Sequence, residues 1–150
     1  MKKWPYWLAA VLIISLIYVL SDRIITVKIS VTKEYWRFIQ KYTFYLGFGD
    51  GFFSYIISPS PSLILQKLVH VVTYSSLGLA IYFATGKQKI KTLLYVTALA
   101  VFDELHQYYV PGRTARLGDI ILDVFSAYTV ISLVKYCCGK KALQSNDNFR

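Results

Sequence analysis

At 150 residues the chain is long enough for one domain, and 55% of it is hydrophobic, above the roughly 45–50% of ordinary soluble domains. That composition points to lipid as the solvent. Lys and Arg outnumber Asp and Glu by 17 to 8, but the lysines stand in short clusters beside apolar runs with no RNA- or DNA-binding motif between them, so nucleic acid is not the expected partner.

The first apolar run, residues 4–20, follows Lys2 and Lys3 and is apolar except for Ser15 and its ring hydroxyls. Tyr18-Val19-Leu20-Ser21 lacks the small-x-small pattern of a signal-peptide cleavage site, and more apolar spans follow, so the run is expected to be an uncleaved first membrane span. Trp4, Tyr6 and Trp7 suit the aromatic belt at its edge.

Residues 22–62 form a long connection. Within it Tyr35, Phe38, Ile39, Tyr42 and Leu46 recur at helical spacing, with Lys33, Glu34, Arg37, Gln40 and Lys41 on the other face. This pattern predicts an amphipathic helix, either lying in the membrane interface or capping the bundle. Gly47, Gly49 and Gly51 around Asp50 break it, and Phe52 to Ile57 is too short to span. Ser58-Pro59-Ser60-Pro61-Ser62 stops one element and starts the next.

The second span is predicted over 63–84. Lys67, His70 and Tyr74 are spaced three and four apart and share one helix face, while Gly78 is available for close helix contact. After a basic turn holding Lys87, Lys89 and Lys91, the third span covers 92–110 and carries Asp103-Glu104-Leu105-His106-Gln107 in its last third. Each charge within a span costs roughly 2.5–3.5 kcal/mol at the helix centre. Pro111-Gly112 ends the span, Arg113 and Arg116 sit in the loop, and Asp119 is placed to cap a fourth span over 120–136, where Asp123 lies one turn on. The remainder, 137–150, is polar, lysine-rich and expected to be disordered. Its only cysteines, the adjacent Cys137 and Cys138, imply no disulfide framework.

The predicted fold is therefore an all-α membrane protein, a four-transmembrane-helix bundle with an extracytoplasmic interfacial amphipathic segment between the first two spans. Four spans put Lys2 and Lys3, the lysines of the second turn, and Lys135, Lys140 and Lys141 on one side. That side is expected to be the cytoplasm, with both termini in it. Lys67, His70, the acidic cluster, Arg113, Arg116, Asp119 and Asp123 then meet at one level near the outer leaflet, as one polar chamber.

Such residues either pair into a network that fixes packing or serve a function, and about ten polar groups at one depth exceed what packing requires. Asp103, His106 and Gln107 share a face, and a histidine–carboxylate pair is what acid–base chemistry needs. Arg113 suits bidentate phosphate binding; Arg116 does too, or it snorkels at the surface. The residues carry no nucleophile signature. They also carry no His-Glu-x-x-His motif, since Glu104 and His106 are only two apart, so no metal site is expected, although His70 and His106 with Asp103, Glu104 or Asp123 offer suitable donors.

Lys67-Leu68-Val69-His70 with Tyr74, Asp103-Glu104-Leu105-His106-Gln107, Val110-Pro111-Gly112-Arg113, and Asp119 with Asp123 together make the chain resemble the VanZ-like family of bacterial membrane proteins, named for a teicoplanin-resistance protein. Asp123 stands where that family often has Asn, and Ser126 where Gly is common. The resemblance implies a multi-pass protein of the bacterial cell membrane linked to lipoglycopeptide resistance, and supplies no reaction or cofactor. Three functions stay open. In the first, the chamber binds an anionic membrane lipid, a lipid-linked cell-wall intermediate or a lipoglycopeptide through Lys67, His70, Tyr74, Gln107, Arg113, Asp119 and Asp123. In the second, Glu104, His106 and Asp103 are catalytic in a hydrolase or transferase acting on a lipid headgroup. The third is a small proton-linked transporter.

Overall fold

The computed structural model describes residues 2–22, 32–42, 44–45, 55–57 and 61–147. The glycine-rich break around Asp50 and the stop at Ser58-Pro59-Ser60 lie outside these residues. In chain order the elements are α1 (Trp4–Ser21), α2 (Lys33–Tyr42), β1 (Phe44–Tyr45), β2 (Tyr55–Ile57), α3 (Pro61–Ala84), α4 (Lys89–Tyr109) and α5 (Leu117–Asp147).

The fold is helical, with one departure from the all-α expectation. β1 and β2 pair antiparallel, Phe44 opposite Ile57 and Tyr45 opposite Tyr55. Aromatic and β-branched residues favour such pairing, and a stretch too short to cross a bilayer has to satisfy its backbone locally.

Three helices, α1, α3 and the Leu117–Cys138 part of α5, are long and apolar enough to cross a membrane. α4 is 21 residues long, sufficient in length, but Lys89, Lys91, Asp103 and Glu104 lower its apolar character. Large apolar side chains point outward on every long helix, among them Leu12, Val72, Phe102 and Phe125. An exterior of this kind suits contact with lipid tails.

α3 is the central element and packs against α1, α4 and α5. Tyr74, Leu77, Ala80 and Ile81 of α3 meet Ala10 and Ile17 of α1, Val96 and Ala100 of α4, and Ala127 of α5 in one core. α3 and α5 approach closely at Gly78, where an added Cβ would lie 2.7 Å from the Ala127 Cβ. Small residues at a crossing let the backbones come together, which is how helices associate where no hydrophobic effect drives them. Ser126, beside Ala127, returns its hydroxyl to the Leu122 carbonyl at 2.7 Å and so satisfies itself within its own helix.

The helix ends are set by local chemistry. α3 begins at Pro61, whose fixed φ and missing N–H suit the first turn. It ends in a Schellman arrangement: Lys87 N–H donates to the Tyr82 carbonyl at 2.7 Å and Gly86 N–H to the Phe83 carbonyl at 3.2 Å. Gly86 has φ +73° there, a conformation glycine adopts without strain. Between α4 and α5, Arg113 N–H donates to the Val110 carbonyl at 3.0 Å and Gly112 has φ +81°, so Pro111-Gly112 forms a tight reversing turn.

Two expected boundaries move. α5 starts at Leu117, so Asp119 lies in its first turn rather than at its cap, where a carboxylate still complements the helix dipole. The tail does not lose order after Tyr136: the helix continues to Asp147, and Lys140, Lys141, Ala142, Leu143 and Gln144 are all good helix formers.

Candidate functional site

The C-terminal ends of α1 and α4 and the N-terminal ends of α3 and α5 meet at one end of the bundle, and the polar residues of the apolar runs are gathered there. Asp103, Glu104, Gln107, Asp119, Asp123 and His70 are all buried. The end is held by contacts that tie each helix to another.

On the α3–α5 side, Lys67 donates to Asp119 as an ion pair. One turn deeper, His70 Nδ1 lies 3.1 and 3.2 Å from the two oxygens of Asp123. The three-residue spacing Lys67–His70 on α3 matches the four-residue spacing Asp119–Asp123 on α5, so the two pairs stack along the helix interface. Tyr74, one turn further, stacks parallel to His70 with ring centroids 6.1 Å apart. Its buried hydroxyl has no hydrogen-bond partner.

On α4, Asp103 accepts from the Ser21 hydroxyl of α1 and from the Gln107 side-chain amide at 3.0 Å. Asp103 and Gln107 are one turn apart on the same face, and both point inward. Glu104, about 100° further round the helix, faces α5 and accepts the Arg116 backbone N–H at 2.6 Å. Its carboxylate thereby satisfies one of the amides left open at the start of α5, at the positive end of the helix dipole. The other oxygen, Oε1, is buried with no hydrogen-bond partner, as is Oε1 of Gln107.

Arg113 reaches back across the bundle. Its Nε donates to the Ser21 carbonyl at 3.0 Å and a terminal nitrogen to the Leu20 carbonyl at 3.3 Å, which satisfies the last carbonyls of α1. Burial holds the Arg113 guanidinium below its ordinary value, against the opposing pull of nearby Asp103 and Glu104. Part of the arginine proposed for phosphate is therefore engaged with the backbone.

His106 is not brought into this cluster. It lies toward α1, stacked on Tyr18 with centroids 4.4 Å apart and 3.4 Å from the half-exposed carboxylate of Asp22. A step of three residues leaves it about 60° round the helix from Asp103, which is enough to turn it to the next interface. Ser21 and Asp22 are the site residues that sequence reasoning missed. Their one signal is that they are the first polar residues after the opening apolar run.

His70, Asp103 and Glu104 are brought together: one donor atom from each lies within 4.8 Å of the other two, and all three residues are buried. The expectation of no metal site rested on spacing within one helix, whereas these donors come from two. A cavity of about 20 Å³, bordered by Ser21, His70, Tyr74, Asp103 and Arg113, adjoins the first two of them. Two larger, mostly apolar grooves flank the cluster. One of about 680 Å³ lies between α4 and α5, walled by Val101, Leu105, Tyr108, Tyr109, Leu117 and Ile120 with Glu104 and Arg113 at its polar edge. The other, about 300 Å³, lies between α1 and α4 and reaches Asp103, Tyr74 and His106.

No curated protein and no solved structure matches the chain. The family model described as VanZ/LLP1 matches residues 6–138, from the start of α1 through the apolar part of α5 and so across the whole polar end; the chain belongs to that family.

Proposed function

We propose that this VanZ-family protein crosses the membrane four times, with both termini in the cytoplasm, and binds an anionic amphipathic molecule at the outer leaflet. One observation carries the reading. The groove between α4 and α5 joins a long apolar wall to Glu104 and Arg113, and its volume of about 680 Å³ lies within the roughly 300–1,000 Å³ of ligand sites. An acyl or prenyl chain suits the wall. A phosphate or carboxylate head suits Arg113 and the neighbouring Arg116. Membrane lipids, lipid-linked cell-wall intermediates and the acyl tail of a lipoglycopeptide share this build, and a protein that holds one of them would alter teicoplanin susceptibility. The amphipathic α2, with Trp36, Phe38 and Tyr42 exposed, serves in this reading as an interfacial segment on the same side.

The decisive experiment is mass spectrometry of lipids retained by the detergent-purified protein. Wild type is expected to retain an anionic lipid, and Leu105→Trp, which narrows the groove at its apolar wall, to lose most of it. Equal retention by both proteins sinks the proposal. In cells, expression is expected to raise teicoplanin resistance and Leu105→Trp to abolish the rise. The crossing number has its own test, because Cys137 and Cys138 are exposed and are the only cysteines. An impermeant thiol reagent should leave intact cells unlabelled there, yet label Pro111→Cys in a cysteine-free background.

A second reading, a hydrolase or transferase acting on a lipid headgroup, is favoured by one specific feature: Glu104 belongs both to the groove and to the His70–Asp103–Glu104 cluster. Incubating the protein with candidate lipids and finding a product that disappears with Glu104→Gln would select it. Retention without turnover selects binding alone.

A further inference from the structure

We propose that His70, Asp103 and Glu104 are the protein ligands of a divalent transition-metal ion, zinc or manganese by their donor set. Asp123 is its positioning residue. The site does not depend on the groove holding a lipid.

Convergence comes first. The three donor atoms lie within 4.8 Å of one another, and metal–ligand bonds of roughly 2.0–2.2 Å bring such a set onto one ion with small side-chain rotations. The imidazole is prepared in the usual way for a metal ligand. Nδ1 is spent on the fully buried Asp123 carboxylate, which fixes the ring and leaves Nε2 as the ligating nitrogen, and carboxylate–histidine–metal chains are the common arrangement at zinc centres.

The carboxylates point the same way. Asp103 and Glu104 are adjacent and buried, and their described hydrogen bonds come from neutral groups, the Ser21 hydroxyl, the Gln107 amide and the Arg116 backbone N–H. Two neighbouring carboxylates in a low-dielectric end repel each other, and a divalent ion relieves both at once. Glu104 is 1% exposed and its Oε1 has no hydrogen-bond partner, an arrangement that is costly for a carboxylate oxygen unless something binds it.

Space and second-layer donors are also present. The cavity of about 20 Å³ beside His70 and Asp103 exceeds the roughly 10–15 Å³ that one water needs, so an ion with three protein ligands keeps room for a water in the open position. Tyr74, which is buried and lines the same cavity, is placed to hydrogen-bond that water. One nitrogen with two carboxylates and no sulfur favours zinc or manganese over copper(I), and offers too few oxygens for calcium.

The test is metal analysis of the intact, full-length protein purified in detergent without a histidine tag. Chelator-stripped protein is titrated with zinc and, separately, manganese, reading bound metal and Tm. Wild type is expected to bind a single ion per chain and to gain Tm as the metal rises. Glu104→Gln retains an acceptor for the Arg116 amide but loses the charge, so it should fold and lose the metal-dependent Tm gain. Asp123→Asn, which leaves all three ligands in place, should weaken binding about 10- to 100-fold. His106→Ala should bind as wild type does. The proposal is overturned if folded, monodisperse wild type binds neither metal, or if Glu104→Gln binds with unchanged affinity. It is equally overturned if His106→Ala abolishes binding, since the ion would then sit on the surface beside Asp22. Leu105→Trp keeps the metal in every case, so failure of the lipid reading and failure of the metal site are separate results.

Discussion

The two ends of the bundle solve the same problem differently. At the lysine-rich end the buried polar groups are few and uncharged. The buried Thr85 and Thr92 hydroxyls pair at 3.0 Å, Lys89 reaches Ser132 at 3.0 Å and lies 3.7 Å from the Tyr128 ring centroid, and a glycine-capped turn closes α3. At the opposite end four carboxylates and an imidazole are buried among the helix ends. This chain can therefore close a bundle end without burying charge, and the buried charge is confined to the other end.

Breaking an ion pair at the polar end should have the largest effect. Lys67→Met leaves the Asp119 carboxylate, 2% exposed, without its partner, and stranding a buried charge costs about 3–5 kcal/mol. Unfolding in mixed detergent should register that loss, and the double variant Lys67→Met with Asp119→Leu should recover most of it. Little recovery would mean that the pair is tied to the rest of the cluster. Next is the crossing between the two ends: Gly78→Ala drives a methyl into Ala127 at about 1–3 kcal/mol, and Ala127→Gly should relieve it. Third is Arg113→Lys, which retains the charge but not the fork that bonds two α1 carbonyls. A loss of about 1–2 kcal/mol is expected, read as earlier proteolysis after Ser21.

The polar end was legible because charge inside an apolar run is conspicuous, and lysine clusters then place those charges at one level. His70, Asp103, Glu104, Asp119 and Asp123 were found in this way. Partner choice was not legible. Ser21 meets Asp103, and Arg113 meets Ser21, across most of the chain, and no local pattern records contacts made by tertiary packing. His106 shows the limit of face arguments. Residues three apart share a helix face only to about 60°, and at a site where three helices converge that angle decides between the cluster and the Tyr18 side. The β1–β2 pair and the helical continuation past Tyr136 went unread because apolar patterning reports burial, and these segments owe their form to backbone pairing and helix propensity.

The smallest expected effect is at the quiet end. Thr92→Val removes one hydroxyl while nearly conserving volume; Thr85 loses that partner, and the Gln88 carbonyl loses the hydroxyl but keeps the Thr92 N–H at 3.0 Å. Thr85 retains its bond to the Tyr82 carbonyl at 3.2 Å, and a net hydrogen bond contributes about 1 kcal/mol. The loss should be near that figure, with no change in bound lipid or metal, because nothing at this end faces the groove or the cluster. A loss as large as that of Lys67→Met would erase the contrast between the ends, and the polar cluster would then be one packing device among others. A small loss, beside a large and rescuable one at Lys67, separates an end that only closes the bundle from one that holds charge for a further purpose.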